Sequence, residues 1–420
     1  MTPSHNHTPP QFATGIRVWA CAMLIYIVAV TARTSLGVSG VEAIERFGLT
    51  ASGLALFAAL QVGVYGCAQI PMGILLDRWG PRRLMTLGAV LVAIAQTEMA
   101  FSSSFMWAII ARILLGIGDA TAFISVLRLL SSWFSIRHIP IFTQLTSIFG
   151  LFGQILSAGP FLMSLHQWGW SPAFCMTAAA ALIVAFIAAL GIRDSTQNTP
   201  SDSQVFPSVS PHVFRNPGTW AGFFAHWIGS GPPMTFTLLW GVPFMTLGMG
   251  MKPEQVSRML IIFSVTNILF GPVMGIVSAR MPKRRPHMIA LSFTVIAAVW
   301  AWLLSSYSPP SVFAATCLVV ALALGAVSSS LAFDIVRMTS PIHTLGTALS
   351  VANMGGFMAT LTTMLTIGIT LDALSGDEVL GWSHFRVAMS AQAFLWLIGI
   401  IGFVLTLIKA RHVFFGRTTD

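Results

Sequence analysis

Long apolar runs separated by short polar breaks dominate this chain. A membrane-crossing helix needs about 20 mostly apolar residues, because each residue rises about 1.5 Å through a hydrocarbon core about 30 Å thick. Twelve stretches meet that condition: 18–38, 52–75, 84–104, 106–131, 140–163, 170–191, 218–245, 258–279, 287–306, 311–335, 345–369 and 386–409. Barrel strands of about 10 residues with in–out alternation do not fit runs this long and this uniformly apolar. The first run follows Arg17 and so resembles a signal peptide, but eleven further spans make it read as an uncleaved first helix. The pattern predicts an all-α polytopic membrane protein with 12 transmembrane helices.

Composition narrows the class. Of 420 residues, 55% are hydrophobic and 8% charged, against about 25% charged in a soluble protein. So few charges cannot cover a water-facing surface, which excludes soluble Rossmann, barrel and nucleic-acid-binding folds. The 30 Phe and 13 Trp exclude a disordered chain. The net charge of +9 is spread over small clusters between apolar runs and forms no stripe for nucleic acid. Cys21, Cys67, Cys175 and Cys317 lie inside apolar runs, with neither a disulfide pattern nor metal spacing. No metal or cofactor is expected, and no Walker pattern points to ATP hydrolysis.

Placing the N-terminus inside puts 15 basic residues on the cytoplasmic side, including Arg17, Arg78, Arg82, Arg83, Arg280, Lys283, Arg284, Arg285 and Arg337. Four fall outside: Arg46, Lys252, Arg258 and Arg386. That bias orients both termini to the cytoplasm and fits a prokaryotic inner membrane. The chain then divides into a tail at 1–14, a six-helix bundle at 15–191, a Ser/Thr/Asn/Pro-rich linker at 192–217, a second six-helix bundle at 218–409 and a tail at 410–420. A repeat supports the division: GILLDRWGPRR from Gly73 aligns without a gap with GIVSARMPKRR from Gly275, 202 residues on. Arg78 matches Arg280, and Arg82 and Arg83 match Arg284 and Arg285, while Asp77 meets Ala279 and Gly80 meets Pro282.

Gly73, Asp77, Arg78, Gly80, Arg82 and Arg83 resemble the signature of the major facilitator superfamily of secondary transporters, as do Arg112, Gly116 and Gly118 in the fourth span. Gly150, Gly159 and Pro160 match part of its fifth-helix glycine–proline motif. The resemblance covers roughly 15–410. It implies two pseudo-symmetric bundles and an inner gate in which Asp77 meets the helix starting near Leu345, with the missing acid at Ala279 making the clamp asymmetric. Arg128, Asp334 and Arg337 complete the expected inner networks. Asp334 and Arg337 share a helix face. The bland alternative for Asp77 is topology and local pairing.

Ionisable residues deep in a span face a cavity or each other. Arg33 lies in the first span, and Arg112 and Asp119 lie seven apart in the fourth, too far for an easy direct bond. Arg33 is a candidate partner across the bundle. Asp119 reads either as a proton carrier that loads near neutral pH or as a structural counter-ion. Gln61, Tyr65 and Gln69 share one face of the second span and can orient a solute or bond helices together. Gln144, Gln154, Asn267 and Asn353 invite the same two readings. His226 and Trp227 precede GSGPP at 229–233, which should kink or interrupt the seventh span. His226 can bind substrate, relay protons or pack between helices. Glu98, near the outer end of the third span, reads as interfacial.

These features predict a monomeric alternating-access carrier that does no covalent chemistry. Arg33 and Arg112 favour a small organic anion, with H+ as the coupling ion and membrane lipids as surroundings. Proton-coupled efflux of amphipathic compounds is a second reading, and a non-transporting sensor or scaffold a third.

Overall fold

The computed structural model describes residues 9–48, 51–193, 211–375 and 380–410, and every regular element among them is helical. Residues 1–8, 194–210 and 411–420 carry most of the expected tails and linker and lie outside the described residues. Helix α1 (Pro9–Val38) starts within the expected first tail, so the last six residues of that tail are helical.

Ten helices among the described residues are long and apolar enough to cross a membrane. With the family assignment given below, they make this a multi-pass membrane protein. Twelve stretches were expected, and two differences account for the count. Leu60–Phe101 is one run of 42 residues within α3 (Ala51–Phe101). At about 1.5 Å per residue it rises about 63 Å, twice the hydrocarbon core. It is not one straight rod: Gly80 sits at φ 76°, ψ 165° and breaks the helical ladder. The expected span 218–245 is divided among α9 (Pro217–Thr235), a π turn at Phe236–Trp240, α10 (Gly241–Pro243) and a second π turn at Phe244–Gly248.

In the seventh stretch the interruption falls just after 229–233. The glycines and prolines at 229–233 do not end the α turn. It persists through Pro232 and Pro233 and widens only at Phe236, whose N–H reaches the Pro232 and Pro233 carbonyls. Prolines remove the donors that would bind the preceding turn, and the wider turns after them reseat the backbone. The partial motif at Pro160 behaves alike, sitting in a π turn at Ser157–Phe161 after α5 (Ile139–Leu156).

The chain separates into two compact units, 1–213 with 341–350 and 214–340 with 351–420. In the first, α3 packs along α4 (Phe105–Trp133) and α7 (Trp170–Gly191), and α1 packs on α4, α5 and α7. Small residues permit the closest approach: a Cβ on Gly118 would stand 2.8 Å from the Gly88 carbonyl oxygen. Buried hydroxyls bond their own or neighbouring helices, as when Thr31 donates to the Ile27 and Gly153 carbonyls at 2.9 and 3.0 Å. One end of this unit is closed by rings, with Trp170 at 4.5 Å from Phe174 and at 5.6 Å from Phe47. The short α2 (Gly40–Phe47) lies there, and Arg46 donates to the Ser102 carbonyl and covers Trp170.

In the second unit α9 packs on α13 (Val312–Ser329), α14 (Leu331–Thr339) and α17 (Gln392–Lys409), and α13 meets α11 (Pro253–Arg280) and α12 (Arg285–Leu304). Trp227 donates its indole N–H to Leu395 at 3.1 Å. Phe244 anchors a ring cluster with Trp300, Trp382 and Phe385. Large apolar side chains such as Leu291, Phe313 and Phe394 stand on the outside, as a lipid-facing surface requires and a water-facing one does not tolerate.

The break at Gly80 uses a region of backbone space essentially closed to other residues. Gly80→Val should destabilise the protein by about 1–3 kcal/mol and lower its thermal midpoint in detergent. Gly63→Ala, at a helical position where a Cβ meets open space, should leave the midpoint unchanged or raise it.

Candidate functional site

The first unit gathers five of the eight expected pathway residues. Arg33 on α1 reaches across to Asp119 on α4: its Nε donates to Oδ2 at 2.6 Å and its Nη2 to Oδ1 at 2.9 Å. This two-point geometry matches a guanidinium fork to a carboxylate. Asp119 is 1% exposed, whereas the Arg33 side chain is 25% exposed, so solvent reaches the pair only from the arginine side. The Tyr65 ring lies under the Arg33 guanidinium at 4.9 Å. Gln61 donates its amide to the Arg33 carbonyl at 3.1 Å.

Arg112 does not pair with Asp119. It is fully buried, at 0% exposed, and no carboxylate forms a salt bridge with it among the described residues. Its Nη1 lies 3.4 Å from the Ala32 carbonyl and 3.5 Å from Gln61 Oε1, and its Nε and Nη2 have no hydrogen-bond partner among the described residues. Those two contacts exceed the usual 2.7–3.2 Å range of an N–H···O bond. Two arginines and one carboxylate thus leave the cluster with one uncompensated positive charge. A buried charge costs several kcal/mol unless paired.

One participant has no signal in the charge pattern. Tyr26 on α1 is buried, packs on Phe123 at 5.5 Å and interacts with both Arg33 and Asp119. Its position seven residues before Arg33, two helical turns along the same face, could have pointed to it.

The other three expected pathway residues belong to the second unit. His226 is buried, its Nδ1 3.3 Å from the Ser329 carbonyl and its ring 4.9 Å from Phe333. Asn353 is buried too. Asn267 donates to the Phe263 carbonyl of its own helix at 2.9 Å, a local bond that needs no solute.

The signature residues form two unlike networks. In the first unit Asp77 caps the start of α15 (Leu345–Ser375). Its Oδ1 accepts from the Gly346 N–H at 2.8 Å, and its Oδ2 accepts from the Thr347 N–H at 2.7 Å and the Thr347 hydroxyl at 2.6 Å. A carboxylate on the exposed amides of a helix N-terminus is favourable in charge and geometry. The charge of Arg128 acts on the same carboxylate, and its Nη1 donates to Ser132. Gly73 faces Thr347, where a Cβ would come within 2.9 Å of the Thr347 Cα. Arg82 donates to the Ala189 carbonyl at 2.8 Å, and Arg78, Arg82 and Arg83 are exposed.

In the second unit Arg280 and Arg284 are exposed, but Arg285 is buried. Its match to Arg83 in the repeat therefore does not extend to environment. Arg285 donates from Nε to the Ser278 hydroxyl at 2.9 Å, and that hydroxyl donates to Asp334 at 3.2 Å. Asp334 also accepts from Arg337 at 2.8 Å and lies 3.7 Å from the Arg285 Nε. The acid missing at Ala279 is supplied here by α14, and Pro282 opens a 3₁₀ turn where Gly80 makes a positive-φ break.

A sequence model described as "Major Facilitator Superfamily" matches residues 22–362. This chain belongs to the Major Facilitator Superfamily. Among its curated superfamily relatives is the "Probable sulfoacetate transporter SauU" of Cupriavidus necator, 26% identical over 41% of this chain and 40% of that protein. Another is the "Methyl viologen resistance protein SmvA" of Salmonella typhimurium, 26% identical over 60% of this chain and 50% of that protein. The chain therefore spans about half or less of the length of these curated relatives. Among solved structures, the superfamily's proton:xylose symporter XylE bound to 6-bromo-6-deoxy-D-glucose covers 96% of both chains at TM-score 0.70 and 16% identity, a likeness of fold.

The unit-2 network is buried and the repeat's arginines beside it are exposed, which separates their energetic roles. Asp334→Ala should strand Arg285 and Arg337 and cost about 3–5 kcal/mol. Arg280→Ala should stay within about 0.5 kcal/mol. Thermal unfolding of both purified variants in one detergent compares them directly.

Proposed function

We propose that this protein is a secondary carrier that moves a small organic anion by alternating access, in company with a proton. The observation that carries the reading is the buried excess of one positive charge over Arg33, Arg112 and Asp119. An uncompensated arginine with unused N–H groups attracts a carboxylate or sulfonate and repels a dication such as methyl viologen. The name of the sulfoacetate relative points the same way. The name of the methyl viologen relative supports the rival reading, cation efflux, and the charge balance argues against it.

The proton enters through the same charge count. An anion that takes the exposed side of Arg33 competes with Asp119 for the guanidinium. Asp119, 1% exposed, would then be left in the protein interior without its cation. Taking up a proton removes that cost. Anion and proton binding therefore favour each other, and the coupling is reciprocal. The expected direction is symport.

The chain crosses the membrane twelve times in this reading. Leu60–Phe101 makes two passes hinged at Gly80, and 217–248 makes one through its π turns. The halves 15–191 and 218–409 are joined by 192–217, and both termini lie in the cytoplasm. Asp77 on the first turn of α15 and the Asp334 network act as inner gates that form and break during the cycle, with Arg78, Arg82 and Arg83 available to lipid phosphate.

Radiolabelled sulfoacetate uptake into proteoliposomes, run beside a panel of small carboxylates, sulfonates and methyl viologen, tests the substrate class. Arg112→Leu should keep or raise thermal stability, because it removes an unpaired buried charge. It should cut anion uptake by about 10- to 150-fold, the equivalent of losing one charged hydrogen-bonded contact of about 1.5–3 kcal/mol. Anion uptake at the parent rate in a folded Arg112→Leu protein, or export of methyl viologen alone, would sink the anion reading.

An acid-outside pH step should accelerate anion entry into right-side-out vesicles, with the anion gradient held constant. Asp119→Asn should abolish the acceleration. Parent protein that ignores the step carries its anion without a proton.

A further inference from the structure

One carboxylate in the first unit takes no part in either network. Glu98 lies near the end of α3, at the opposite end of the 81–101 segment from Arg82 and Arg83. About 25 Å of helix separates it from that basic turn. Its side chain makes no hydrogen bond or ion pair among the described residues. It opens onto a groove of about 600 Å³ on the surface of this unit.

The lining of that groove is graded. Glu98 and Ser103 stand at one end with two exposed rings, Phe101 and Trp107. One helical turn deeper lies Ile94, and Leu182 of α7 joins it, both exposed. A solute from water would not meet an apolar lane leading toward the middle of a membrane-crossing helix. A lipid would, because polar head and acyl chain are joined in that order. Trp107 supplies the amphipathic ring that settles at a membrane interface.

Charge selects the headgroup. Glu98 is the one ionisable side chain among the residues that line the groove. An anionic headgroup would meet a carboxylate in the lining, and the cation at its edge, Arg46, is engaged by the Ser102 carbonyl and the Trp170 ring. A primary ammonium gives that carboxylate up to three hydrogen-bond donors, and the Trp107 face adds a cation–π contact. A trimethylammonium keeps the charge but has no donor.

We propose that this groove binds an aminophospholipid, with the ammonium of phosphatidylethanolamine on Glu98 beside Trp107 and an acyl chain along Ile94 and Leu182. The site is separate from the anion site, and it depends only on membrane embedding.

Native mass spectrometry of the delipidated full chain tests the assignment. The probes are phosphatidylethanolamine, phosphatidylcholine and phosphatidylglycerol with identical acyl chains, at equal lipid-to-protein ratios. Phosphatidylethanolamine should be retained roughly two- to fivefold over phosphatidylglycerol, the scale of one partly exposed ion pair, with phosphatidylcholine between them. Glu98→Gln should erase the preference while leaving the thermal midpoint unchanged, and Trp107→Ala should weaken it. Equal retention of the three lipids by the parent would overturn the proposal, as would a preference that survives Glu98→Gln. Displacement of the lipid by equimolar glycerophosphoethanolamine would assign the groove to a soluble amine, and displacement by equimolar tetraphenylphosphonium to an amphipathic cation. Either result would also overturn it.

Discussion

Hydrocarbon offers no hydrogen bonds, and the architecture of this protein follows from that constraint. Each backbone N–H and C=O in a membrane-crossing stretch must find its partner inside the chain, which leaves helix as the available form. Departures from regular helix are therefore few, and each is resolved locally. Gly80 turns the chain at a position only glycine tolerates, and the π turns after Pro233 and around Pro160 restore a partner where proline removed a donor.

The same constraint raises the stakes for charge. A side chain that would be ordinary on a soluble surface becomes a commitment when it is held in the interior. Asp119 is matched by a two-point contact from Arg33, and the arginine carries the solvent-accessible edge of the pair. Arg112 has no such match among the described residues. A buried surplus of this kind is poorly explained as structure, since an apolar residue of similar volume would be as stable or more so.

The two halves of the repeat use related sequences for different physical ends. In one, a carboxylate caps a helix and its neighbouring arginines remain outside. In the other, an arginine turns inward to a serine and to an aspartate donated by another helix. Equivalent position in a repeat does not guarantee equivalent environment: Asp77 bonds the start of another helix rather than its neighbouring arginines, and where alanine stands in its place the buried arginine meets an aspartate from α14.

Much of the fold was legible along the chain. Span length, scarcity of charge and the clustering of arginines are properties of composition and order, and lipid imposes them without reference to neighbours. The signature around Asp77 was legible for the same reason, being a short continuous string. The candidate site was legible only in part. Arg33, Arg112 and Asp119 stand out because charge is rare here, but their spacing did not decide which arginine would hold the carboxylate. That pairing depends on the rotation of α1 against α4, set by small residues and side-chain packing across distant segments. Tyr26, Ser278 and the inward turn of Arg285 were hidden for the same reason: each gains its partner from a contact between helices. Sequence alone determined that the chain would be helical and membrane-embedded. Which buried charge is satisfied and which is left open was decided by tertiary packing, because electrostatic energy depends on distances of a few ångströms that linear spacing does not specify.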